Sequence, residues 1–167
     1  SAENGKTVAI LRDEGWLTDM RTAIGGALAT RALARADATK VLIIGTGIQA
    51  RFQAICLAQL MPERMLNFSV WGRNTAAAQN LAHELSSQKL TVKAVVGLED
   101  EVSRSDIIIT TTPAVSPLFA HGLVRSGTHV TAIGADSPGK QELPVGLVTS
   151  ASLRVCDLLG QSLDHGE

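Results

Sequence analysis

Residues 40–52, KVLIIGTGIQARF, run four apolar residues into a pair of glycines and then directly into a helical pattern. Residues 41–44 read as a short buried strand. Residues 48–61 read as a helix stopped by Pro62, because proline lacks the N–H that an interior helical turn donates. Gly45, Gly47 and Ala50 occupy the three small-residue positions of G-x-G-x-x-G/A. In that pattern the first position permits a sharp turn, the second lets a phosphate reach the backbone, and the third lets the helix pack closely on the strand. The helix N-terminus adds unpaired N–H groups and a partial positive charge. Gly45, Thr46, Gly47, Ile48, Gln49 and Ala50 are therefore the expected cofactor-binding turn. A glycine turn without a ligand would contain the same residues, so the surrounding chain has to discriminate.

Outward from this stretch the element types alternate. Residues 67–71 read as a strand, and a helix follows from Asn74 as N-cap to about residue 86. Residues 90–96 alternate as a strand and 98–105 form a short helix. Residues 106–111 are a β-branched run, as expected of a strand buried on both faces. After a loop with Pro113 and Pro117 come a short helix near 121–125, a strand at 128–133, a helix around 144–150 and a strand at 152–156. Upstream, residues 7–13, TVAILRD, begin like a strand. Met20, Ala23, Ile24, Ala27, Leu28 and Leu33 have helical spacing across 17–35, with Thr18 or Asp19 as N-cap. Gly25 and Gly26 weaken that helix by about 1 kcal/mol each relative to alanine, and they open room for close packing. Alternating strands and helices imply a parallel sheet, here an α/β doubly wound one.

With 167 residues, 45% hydrophobic and 19% charged, the chain can bury a full single-domain core. A net charge of −1 without a basic stripe argues against nucleic acid and anionic membrane as partners. No apolar run nears the roughly 20 residues of a membrane span, and the first residues show no signal pattern, so the expected location is cytoplasmic. Cys56 and Cys156 lie far apart and read as small buried hydrophobes in a reducing compartment. His83, His121, His129 and His165 match no ligand spacing, and no metal site is assigned.

The end of the second strand discriminates between cofactors. An acid there accepts from a ribose 2′-hydroxyl, whereas a cation meets a 2′-phosphate. The chain has Trp71-Gly72-Arg73-Asn74-Thr75, a guanidinium and short polar groups at a helix N-terminus, which favours NADP over NAD. Arg73 as a solvated loop charge is the alternative. The missing acid also counts against a methyltransferase that binds S-adenosylmethionine. Thr111 and Thr112 end the buried strand on the nicotinamide side, where hydroxyl or backbone groups can reach a cofactor; strand propensity explains them equally well.

Asp19-Met-Arg-Thr-Ala23, the glycine turn, Thr110-Thr-Thr112 and the run GADSPGKQEL at 134–143 follow one another in this order. The chain thereby resembles the ornithine cyclodeaminase and mu-crystallin family over nearly its whole length. The resemblance implies a Rossmann NAD(P)-binding domain at residues 21–160, a remnant of a substrate and dimerisation domain at 1–20, and the start of a return segment at 161–167. It implies hydride transfer at the α carbon of an amino acid or its imine, as in a cyclodeaminase, a ketimine reductase or an amino-acid dehydrogenase. A non-catalytic NADPH-binding protein like mu-crystallin is the alternative. Arg21 would clamp the substrate carboxylate, and Asp136 would act as general acid and base at the substrate nitrogen; without the resemblance, Asp136 reads as a turn former before Pro138. The family's active-site lysine has no convincing match in Lys6, so this stretch of chain alone is expected to be inactive, and the full-length protein is expected to be a homodimer.

Overall fold

Strands joined by helices close most readily into a parallel sheet, because the crossover has to carry the chain back to the starting edge. The computed structural model describes residues 1–164 and 166–167 and contains such a sheet. Helix α1 (Trp16–Leu33) leads into β1 (Lys40–Ile44), α2 (Ile48–Leu60), β2 (Asn67–Trp71), α3 (Thr75–Ser87) and β3 (Thr91–Ala94). Then come α4 (Leu98–Arg104), β4 (Ile107–Thr110), a 3-10 turn (His121–Leu123), β5 (His129–Ala132), α5 (Val145–Ser150) and α6 (Leu159–Asp164). The five strands are all parallel, in the order β3-β2-β1-β4-β5. Chain order reverses between β1 and β4, and there the loops at the strands' carboxyl ends diverge and leave a crevice. Register aligns those ends: Ile44 stands opposite Trp71 and Thr110, and Thr110 opposite Ala132.

The pleat distributes each strand between two cores. Val41 and Ile43 of β1, with Ile107 and Ile109 of β4, face α1, α2 and α3; Leu42, Ile44 and Ile108 face the α4 side with Val102 and Phe119. Each such fully buried side chain contributes about 1.5–3 kcal/mol, which makes the two interior strands the most strongly anchored part of the molecule. Gly26 meets Gln53 of α2, where a Cβ would stand 2.6 Å from its Oε1, so this glycine does permit close helix packing; Gly25 faces open space. At the amino ends of the strands Asp106 accepts from the N–H groups of Thr39 and Lys40 and pairs with Arg35 and Arg125. Burial raises its carboxyl, but those four partners outweigh burial and hold it below the usual carboxylate value.

Several expectations are corrected. Residues 7–13 and 152–156, both read as strands, form none; Val8, Ile10, Leu153 and Val155 are exposed. A strand needs an edge to pair with, and neither segment lies against one among the described residues. Cys156 is accordingly exposed, whereas Cys56 is buried as expected. The third strand ends at Ala94, with Val96 exposed. Helix α1 starts at Trp16, before Thr18 and Asp19, and Asp13 Oδ2 accepts from Leu17 N at 2.7 Å. The expected domain boundary between residues 20 and 21 falls inside this helix, the connecting helix of that division. In the return segment residue 165 lies outside the described residues. Among the described residues no helix is long and apolar enough to cross a membrane.

Candidate functional site

The two glycines of the first turn are glycine for different reasons. Gly45 has φ +132°, a conformation L side chains rarely adopt, and a Cβ there would overlap Thr111 Oγ1. Its N–H donates to Trp71 O at 2.8 Å, so the turn is sewn to β2. Gly47 caps α2 with φ −85° and ψ −169°, ordinary extended backbone, and nothing lies within 4 Å of where its Cβ would sit. Neither conformation nor protein packing calls for glycine at 47. The open space lies directly over the N-terminus of a 13-residue helix that has no side-chain cap, where a phosphate would take up the unpaired amides. Ala50 is fully buried beneath, as the small third position requires. Thr46 turns its methyl against Gly72, and Ile48 is half exposed.

At the end of β2, Asn74 Oδ1 accepts from Ala77 N at 3.1 Å and caps α3. Its carboxamide oxygen is thus engaged, while Arg73 and Thr75 beside it are exposed, and Arg73 forms no ion pair among the described residues. Thr111 donates both its N–H (2.9 Å) and its Oγ1 (3.2 Å) to Ile44 O, immediately before Gly45. The Thr112 hydroxyl donates to Glu142 at 2.7 Å. Both hydroxyls therefore hold the floor of the crevice together, a task the sequence pattern did not disclose.

Gln49 also does unexpected work. Its Nε2 donates to the main-chain O (3.2 Å) and the Oδ1 (3.1 Å) of Asp19, tying the N-terminal turn of α2 to α1. This bond puts the Asp19 end of α1 at the carboxyl rim of the sheet; Arg21, two residues on, is exposed and lies about 200° around the helix from Asp19. Asp136 stands on the loop after β5, 67% exposed, with Lys140 Nζ 2.5 Å from its Oδ1. The hydrogen bond from that ammonium, helped by Ser137, holds its carboxyl below the ordinary value. The glycine turn, Arg73–Thr75, Thr111–Thr112 and Asp136 all follow the carboxyl ends of strands and occupy the same rim. Arg21 and Asp136 make no direct contact among the described residues.

Glu142 is the residue the sequence reading passed over. It is fully buried, and its carboxylate accepts four hydrogen bonds: from Thr112 N (2.6 Å) and Thr112 Oγ1 (2.7 Å) at Oε1, and from Thr110 Oγ1 and Gly134 N (both 2.7 Å) at Oε2. In the sequence it is one of several polar residues of the 134–143 run, directly after Lys140 and Gln141, and nothing local marks it for burial. Its donors lie 8 to 32 residues away.

Comparison with known proteins is consistent with this geometry. The ornithine cyclodeaminase/mu-crystallin family pattern matches residues 1–167. An uncharacterized cyclodeaminase of Sinorhizobium fredii is 36% identical over 168 residues, covering 100% of this chain and 50% of the relative. An archaeal alanine dehydrogenase dimer solved with bound NAD superposes with a TM-score of 0.82 at 31% identity, over 90% of this chain and 46% of that one. The iminosuccinate reductase of Paracoccus denitrificans, in complex with NAD+, gives a TM-score of 0.77 at 31% identity, over 89% and 45%. The chain therefore spans about half the length of the relatives it matches. It carries the family's pattern throughout, on the doubly wound Rossmann-type sheet that its relatives share, and it belongs to the ornithine cyclodeaminase/mu-crystallin family.

Proposed function

We propose that this chain is the dinucleotide-binding part of an NAD(P)-dependent enzyme that acts on an amino acid or the corresponding imine. The observation that carries the reading is Gly47, a glycine without a conformational or packing reason, set over an uncapped helix N-terminus at the sheet's switch point. The amides of residues 46–49 would hold the pyrophosphate. Arg73, exposed and without an ion pair among the described residues, would meet a ribose 2′-phosphate, and no carboxylate at the end of β2 stands ready for a free 2′-hydroxyl, which favours NADP over NAD. Cyclodeaminase, alanine dehydrogenase and iminosuccinate reductase among the relatives support an amino acid or imine as substrate class.

When bound, the nicotinamide supplies hydride exchange with the substrate α carbon. The residues of this chain do the rest. Arg21 offers the planar fork of donors suited to an α-carboxylate. Asp136, a carboxylate at neutral pH that holds Lys140 and Ser137 as hydrogen-bond partners, accepts a proton from the substrate nitrogen in the oxidative direction and returns it in the reductive one. Calorimetric titration with NADPH and NADH tests the reading. Saturable binding, tighter for NADPH, is the expected result; absence of heat and of thermal stabilisation with both would sink it.

A further inference from the structure

The two loops that form the β4–β5 side of the crevice are joined by one side chain. Glu142 binds Thr110 and Thr112 at the end of β4, and Gly134 after β5. The neighbouring backbone closes the same plate: Gln141 N donates to Ala114 O at 2.9 Å, and Leu118 N donates to Glu142 O at 2.8 Å. Thr111, next to Thr112, buttresses Ile44 and the Gly45 turn on one side. Asp136 lies two residues beyond Gly134 on the other. Gly134 has no room for a side chain, since a Cβ there would overlap Thr112 O and stand 2.6 Å from the Glu142 carboxyl carbon.

We propose that Glu142 is a positioning residue, whose carboxylate locks the 110–118 and 134–143 loops into the one arrangement that presents both the glycine turn and Asp136; this rests on the dinucleotide reading above. The chemistry demands a carboxylate, because both oxygens receive one main-chain N–H each, from Thr112 and Gly134. A carboxylate is acceptor-only, whereas a carboxamide of the same shape must turn its NH2 toward one of those two amides. The threonine hydroxyls can rotate to accept; a main-chain N–H cannot. Glu142→Gln therefore sets two donors face to face in a buried place with nearly unchanged volume, and the loops separate to relieve it.

The test uses the 167-residue chain and three variants, Glu142→Gln, Thr112→Val and Asp106→Asn. The last removes a partly buried, hydrogen-bonded carboxylate at the opposite end of the sheet and serves as control for lost stability alone. Two readouts are taken well below each melting temperature: NADPH affinity by calorimetry, and amide hydrogen exchange at Thr112 and Gly134. Expected for Glu142→Gln is at least a tenfold loss of NADPH affinity, with faster exchange confined to the 110–118 and 134–143 loops. Strands β1 and β2 keep wild-type exchange, and Asp106→Asn keeps wild-type affinity. If Glu142→Gln does not fold, Thr112→Val replaces it, with the same pattern expected at smaller amplitude. Unchanged exchange at Thr112 and Gly134, or faster exchange with unchanged affinity, overturns the proposal. If the wild-type chain binds neither NADPH nor NADH, the dinucleotide reading fails by itself; the exchange arm then decides whether Glu142 holds the loops, local acceleration upholding it and wild-type exchange overturning it.

Discussion

Replacing each motif glycine by alanine separates its two roles, since the structure assigns them opposite consequences. In Gly45→Ala the new Cβ sits at φ +132° and overlaps Thr111 Oγ1. Backbone strain of that kind costs about 1–3 kcal/mol. Displacing the threonine hydroxyl from Ile44 O forfeits a hydrogen bond, about another 1 kcal/mol. The sum of about 2–4 kcal/mol lowers the Tm of a chain this size by roughly 5–15 °C. In Gly47→Ala the backbone is allowed and the space is open, so only small terms remain. Alanine at an N-cap loses up to about 1 kcal/mol, and the stiffer unfolded chain restores about 0.4–1 kcal/mol. The Tm should then stay within about 3 °C. The methyl, however, stands where the pyrophosphate must approach. Losing one or two charge-assisted amide contacts of about 1.5–3 kcal/mol each weakens NADPH binding tenfold to more than a hundredfold. Differential scanning calorimetry and isothermal titration on both variants read the two axes separately. Gly47→Ala with wild-type affinity, or with a loss of Tm as large as that of Gly45→Ala, would refute the assignment of that open space to a phosphate.

Arg73→Ala should reduce the preference for NADPH over NADH by about ten- to a hundredfold, the value of a hydrogen bond to a charged group, as read from the ratio of the two dissociation constants. An unchanged ratio returns Arg73 to the solvated surface. Asp136→Asn in the full-length enzyme should lower turnover by about a hundredfold or more with little change in Tm or cofactor affinity; near wild-type turnover makes it a turn former that only accepts hydrogen bonds. Asp106→Asn should destabilise the chain by about 2–3 kcal/mol at neutral pH, allowing for the exposure of Arg35 and Arg125. The folded carboxyl lies below its ordinary value, so the stability it contributes is complete above an unfolded value near 4 and disappears as pH falls through the lower folded one. Chemical denaturation should accordingly show the wild-type and variant curves converging as pH falls below about 4; a gap that does not narrow there contradicts the ionic origin of the contribution.

The sequence by itself determined what depends on neighbours along the chain. Strand β2 at Asn67–Trp71, the cap of α3 at Asn74, the start of α2 at Ile48 and the glycine turn all follow from local periodicity and backbone chemistry, and the structure has them there. Alternation of short apolar strands with helices sufficed for a parallel doubly wound sheet, because few other arrangements bury such strands on both faces. Where pairing partners decide, local pattern failed: 7–13 and 152–156 read like β-strands yet have no sheet edge to bond among the described residues, and Val8, Ile10, Leu153 and Val155 stay exposed. The site divides the same way. Gly45 and Gly47 were recognisable as a pair, but that one is glycine for φ and the other for open space is a property of what surrounds them in three dimensions. Gln49 was legible as part of the motif, not as the link to Asp19 that ties α2 to α1. Glu142 was one polar residue of a polar loop, and only the tertiary structure gathers its four donors around it, from Thr110, Thr112 and Gly134. A buried charge is stable only where distant parts of the chain deliver hydrogen bonds to it, and that convergence is absent from any local window of sequence.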